Sequence, residues 1–245
     1  MKRELSMEMQ SKLTYALILF ASVSTSAVTH ANDCVDARKY TVNILSKLEA
    51  AASTQGFAKD DISKVKLDFR CHWNPEQSLN AEAEGHTIHF ANPWLARLET
   101  EDEVAMILGH ELSHIILRHI INVDAPISTK GVRKKESAAD TQALLLMSAA
   151  GYNANEGISA IEYLREINRE STENFNFLKR YYFAVMGIFP TDHPTIKSRV
   201  KNLQETIEYN DLNCEIEIKP IDIDVKAAAE RLQRADENNP MYNQN

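Results

Sequence analysis

The stretch His110-Glu-Leu-Ser-His114 places two imidazoles four residues apart with a carboxylate beside the first. On a helix that spacing sets the two side chains one turn apart and about 40° from each other, so both can reach one ion. Glu111 is then close enough to act on a water beside that ion without binding the ion itself. HExxH on a helix is the pattern of two zinc ligands and a general base, and its chemistry is hydrolysis of a peptide bond. A hydrolytic zinc site needs a third protein ligand and leaves a fourth position for water. His119 stands nine residues after His110, about 900° round a continuing helix, which turns it to the opposite side. The expectation for His119 is therefore a surface or packing residue. Glu136 is the better ligand: it opens the segment Glu-Ser-Ala-Ala-Asp, in which Asp140 follows one helical turn later. Glu136 completes the set for one Zn²⁺ per chain. Asp140 is expected to accept the remaining ring N–H of a ligand histidine, His110 first, and to fix its tautomer.

Two helices must hold these groups. Thr100 precedes Glu103 at capping-box spacing, acidic residues fill the first turn, and apolar residues then recur on most sides to Ile121. That predicts a helix over 100–121 buried nearly all round. A second helix is predicted over 134–150, ending at Gly-Tyr-Asn, and a third over 155–167. The intervening Val-Asp-Ala-Pro-Ile-Ser-Thr-Lys-Gly is a loop that lets the first two run antiparallel. Upstream, 36–52 reads as a helix, and Lys64–Trp73 and Gly85–Phe90 alternate like half-buried strands. Asn92 before Pro93 reads as a helix cap and first position, and Pro194 as the opening of a later helix. Cys214–Asp224 has strand-like alternation, and a short helix follows before a polar tail. The fold class expected is α+β, predominantly helical, with a small sheet beside the active-site helix. The strand Gly85–Phe90 is expected to border the cleft, where an extended peptide could add to a sheet edge; His86 and His89 read as surface residues.

The rest of the composition narrows the function. With 245 residues, 44% hydrophobic and 25% charged, the chain can bury a sizeable core. A net charge of −8 without a basic cluster argues against nucleic acid as partner, and seven glycines form no phosphate-binding loop. Residues 1–31 read as a signal peptide: a charged start, an apolar run interrupted by serines, and Thr29 and Ala31 before the cleavage point. The expected organisation is residues 1–31 as signal and 32–245 as one domain without an integral membrane segment, exported and most simply periplasmic. Cys34, Cys71 and Cys214 are compatible with one disulfide in that compartment, in a pairing the sequence leaves open.

Taken together, His-Glu-Leu-Ser-His, Glu-Ser-Ala-Ala-Asp, Ala-Gly-Tyr-Asn and Asp-His-Pro-Thr-Ile-Lys-Ser-Arg closely resemble the gluzincin metallopeptidases of peptidase family M48. That family includes CAAX prenyl proteases, HtpX-like proteases and soluble exported bacterial members. The resemblance implies a zincin-like domain, zinc, and protein or peptide substrates, plausible ones being misfolded or unassembled envelope proteins. It also implies that His193 and Arg199 attend the anionic intermediate, where cationic donors stabilise developing charge. For Arg199 an ion pair with Asp192 or Asp140 is the alternative, and for His193 a place on the zinc in a resting state. No transmembrane helices or tetratricopeptide repeats accompany these motifs, which sets the chain apart from the membrane-bound and repeat-bearing members. The competing function is a zinc-stabilised chaperone or binding protein; the intact Glu111 favours hydrolysis.

Overall fold

A computed structural model describes residues 7–72, 81–119, 129–173, 195–212 and 216–239. His193 and Cys214, and with them their expected roles, lie outside the described residues.

The elements in order are helix α1 (Met7–Thr54), a short α2 (Lys59–Ile62), strands β1 (Lys66–Arg70), β2 (Glu82–Glu84) and β3 (Thr87–Ala91), a short α3 (Pro93–Arg97), α4 (Glu101–Ile116), α5 (Thr129–Ala149), α6 (Ala154–Glu173), α7 (Ile196–Tyr209) and α8 (Ile223–Glu237). The chain is predominantly helical with a three-stranded sheet, as expected of its α+β class. α1 is longer than the predicted 36–52 and runs across Ala31–Asn32, so a chain cut there would begin inside it. Its Ala37, Thr41, Ile44, Leu45, Leu48, Ala51 and Ala52 are buried at helical spacing. Each of the larger ones contributes about 1.5–3 kcal/mol by leaving water. Among the described residues no helix is long and apolar enough to cross a membrane.

Cys34 in α1 is bonded to Cys71, just beyond β1. The bridge ties the helix to the sheet and supplies the pairing that composition left open. Arg231 in α8 adds a two-pronged ion pair to Asp33, at 2.9 and 2.6 Å.

α4 is the centre of the fold. All of its residues except Glu101 and His114 are buried, and α1, α5, α6 and the sheet pack around it. The predicted capping box is present: Thr100 Oγ1 accepts from the Glu103 amide, and Glu103 Oε2 accepts from the Thr100 amide. One turn in, the fully buried Asp102 accepts the Asn153 amide at 2.8 Å and the Lys219 amide at 2.9 Å. It pins the turn before α6 and the strand-like segment 216–221 to the start of α4. Asp102→Ala leaves two backbone donors without their acceptor; we expect a loss of about 2–4 kcal/mol in urea unfolding.

Several expectations change on contact with the fold. The sheet order is β1-β3-β2, parallel between β1 and β3 and antiparallel between β3 and β2. The strand expected to offer an edge is therefore central. The hairpin arises because Gly85, at φ 58°, takes a left-handed turn that sends Glu82–Glu84 back along β3. The edge beside α4 belongs to β2. Segment 214–224 is not a strand where it is described: its alternation serves one bridge, Thr100 with Pro220, and Ile221 alone of its isoleucines is buried. Asn92 does not cap α3; its side-chain amide donates to Ala229 O at 2.8 Å and holds α8 instead. α7 is capped by Thr195, whose hydroxyl accepts from Ser198 N, so the helix starts at Ile196, beyond Pro194. α4 stops at Ile116, five residues before the predicted end at Ile121.

Candidate metal centre

The site forms where α4 meets α5. Gly109 faces Ala143 at a distance a Cβ would fill to ordinary contact, 3.5 Å, so two small residues bring the helices close just before His110. The approach sets Glu136, the first buried residue of α5 among those described, opposite the two histidines.

His110 Nε2 and His114 Nε2 stand 3.1 Å apart. Glu136 closes the triangle, with Oε1 3.4 Å from His114 Nε2 and Oε2 3.6 Å from His110 Nε2. Zinc held at 2.0–2.1 Å by a tetrahedral donor set requires neighbouring donors about 3.3 Å apart. The three distances bracket that figure, with a different Glu136 oxygen facing each ring. His110, His114 and Glu136 are also the one group of potential ligands found together among the described residues. Charge points the same way. Glu111, Glu136 and Asp140 are buried carboxylates and Arg199 is the buried cation among them; imidazoles that bind a metal do so in the neutral form. With both rings neutral, two negative charges remain in a buried site, which a dication balances. The donor set and its charge fit zinc.

Asp140 is fully buried and accepts from His110 Nδ1 at 2.9 Å. A proton fixed on Nδ1 leaves Nε2 free to bind metal. Arg199, on α7, sends Nε to Asp140 Oδ2 at 2.8 Å and Nη2 to Oδ1 at 2.6 Å. Of the two readings open for Arg199, this geometry is that of the ion pair with Asp140. Burial raises the Asp140 carboxyl, but the bonds from His110 and Arg199 outweigh it and hold it below the usual range. For His110, burial works against the charged form, yet Asp140 and Glu136 prevail and its pKa is raised. Without a metal, the carboxylates draw a proton onto the ring. His114 moves the opposite way, lowered by burial first, though Glu136 opposes the shift.

Glu111 is buried, and burial is the main cause of its rise to about 7. His110 and Arg199 pull it down while Glu136 and Glu82 push it up, so it lies within electrostatic reach of both the site and the β2 edge.

His119 is the residue that spacing misplaced. Because α4 ends at Ile116, the 900° count does not apply. Arg118 turns the chain at φ 56°, and His119 Nδ1 lies 3.1 Å from His114 Nδ1. Burial, then His114 and Lys135, hold its pKa down to about 4. A sequence signal for this turn is faint: the apolar period continues through Ile120 and Ile121, and no glycine marks the stop. His86 and His89 sit away from the ligands. His86 lies near Asp61 at 3.9 Å, and His89 bonds Asp68 at 2.7 Å on the outer face of the sheet.

No curated protein matches the chain. Residues 46–126, about a third of it, match the model of peptidase family M48; the stretch spans the sheet and all of α4, with His110, Glu111 and His114, and supports a metallopeptidase of that family.

Proposed function

We propose that the protein is a zinc-dependent endopeptidase acting on proteins or peptides. The observation that carries this reading is the triangle of His110, His114 and Glu136, with Glu111 buried beside it. Zinc, when bound there, supplies Lewis acidity toward a carbonyl and lowers the pKa of a water to about 7. Glu111 takes a proton from the attacking water and returns it to the leaving amine. His110 is held to Nε2 ligation by Asp140, which is itself held by Arg199. In this reading Arg199 positions rather than touching substrate, and His193 keeps the oxyanion role that the family resemblance implies. An extended peptide would add to β2, the sheet edge nearest α4.

The exported, envelope-facing role belongs to the same proposal. It is supported by the signal-like residues 1–31 and by the Cys34–Cys71 bond, which a reducing cytosol would not favour. In this reading residues 32–245 form one domain, and unassembled or misfolded envelope proteins are the substrates. No observation favours the binding-protein alternative, in which Glu111 would be idle.

Digestion of an unfolded protein by the purified mature chain tests the reading. Cleavage should stop with a zinc chelator and return when zinc is restored. Cleavage that is unaffected by thorough chelation would remove the metal from the mechanism.

A further inference from the structure

The corner after α4 is built with more contacts than a connecting loop needs. The Arg118 amide donates to Ile115 O and the His119 amide to His114 O, both at 2.9 Å, so the helix closes on itself through a left-handed residue. Arg118 Nε and Nη2 both bond Asp61 Oδ2, at 3.1 and 2.9 Å. From α5, the neighbour of Glu136 in sequence, Lys135 Nζ, donates to His119 O at 2.7 Å. The corner is thus tied to three elements, and what it delivers is one ring. His119 meets His114 edge-on, at 70° with centroids 5.1 Å apart, and their Nδ1 atoms lie at hydrogen-bond distance.

The tautomers follow from elementary chemistry. His114 turns Nε2 toward His110 and Glu136. A neutral imidazole that offers the Nε2 lone pair to a metal carries its proton on Nδ1. That N–H must donate, and the acceptor in front of it is His119 Nδ1. His110 has the same arrangement, with Asp140 as acceptor. We infer that His119 is a positioning residue of the metal centre: its Nδ1 accepts the Nδ1–H of His114, fixing the ring plane and tautomer that aim His114 Nε2 at the metal. Each ligand histidine then has its own acceptor, a carboxylate from α5 for the first and an imidazole from the α4 corner for the second.

The inference rests on the ligand set proposed above, so the test must separate the two. Zinc affinity is measured by competition with a chromophoric chelator on the full mature chain, alongside the melting temperature of the metal-free protein. His114→Ala reports on the ligand set, and three substitutions of His119 report on the inference. His119→Ala and His119→Leu remove the acceptor, Leu keeping bulk. His119→Asn keeps an acceptor oxygen near the position of Nδ1. Loss of a group that orients a metal ligand typically costs 10–100-fold in affinity. We expect that loss in Ala and Leu with unchanged metal-free melting, and recovery to within about threefold in Asn, since only the acceptor is retained. If His114→Ala loses zinc while a folded His119→Leu binds it like the wild type, the inference alone fails. It fails also if Asn binds as weakly as Leu. A wild-type chain that takes up no zinc overturns the ligand set and the inference together.

Discussion

Glu111→Gln should bind zinc like the wild type and lose essentially all hydrolysis. The substitution keeps the size of a buried side chain on α4 and removes only its ability to take a proton. General acid–base catalysis by one positioned group is worth about 10²–10⁴ in rate. In the proposed mechanism Glu111 both activates the nucleophile and protonates the leaving group, so the upper end of that range is expected. Metal retention should be unaffected, because the proposed ligands are His110, His114 and Glu136. The check is a progress curve on an unfolded substrate at matched zinc content. A variant within tenfold of wild type would mean that the proton passes elsewhere. Loss of zinc would mean that Glu111 belongs among the ligands.

Asp140→Ala should be the most damaging single change for the fold around the site. Asp140 is fully buried, and both of its oxygens hold the Arg199 guanidinium while one also holds His110. Its removal strands a buried cation, a defect of about 3–5 kcal/mol. It also frees the His110 ring, which should weaken zinc by about 10–100-fold. The two effects can be parted. A double substitution, Asp140→Leu with Arg199→Met, replaces the ion pair by apolar side chains of similar bulk, and such replacements are often neutral or stabilising. Urea unfolding should show stability largely restored in the double variant while zinc affinity stays low. Should the double variant regain zinc affinity as well, Asp140 would matter only as a partner for Arg199.

The arrangement of the candidate centre was legible because it is local. His110, Glu111 and His114 share one helix, and a four-residue interval on a helix fixes their relation whatever the surroundings. Glu136 and Asp140 repeat that interval on α5, and the apolar periodicity of both helices demanded that they pack. Capping chemistry at Thr100 set the start of α4 for the same reason. Where the reading failed, the deciding contact came from far away in sequence. Asn92 has the residue type of a cap, but a carbonyl of α8 claims its amide. The alternation in 214–224 looks like a strand because the segment is half-buried against the entry to α4, although it joins no sheet where it is described. His119 was set on the wrong side because helix periodicity was carried through a corner, and that corner is held by Asp61 and Lys135. Gly85 was the available sign of the hairpin that makes Thr87–Ala91 a central strand. Arg199 could be matched to a motif, but whether its fork faces substrate or Asp140 depends on where α7 docks against α5.

The most direct test is the zinc stoichiometry and affinity of the purified chain beside His110→Ala, His114→Ala and Glu136→Ala. One zinc per wild-type chain is expected, with the metal lost from each variant, since α4 and α5 would each contribute indispensable donors. Full retention of tightly bound zinc by folded Glu136→Ala would contradict the joining of the two helices through a single cation.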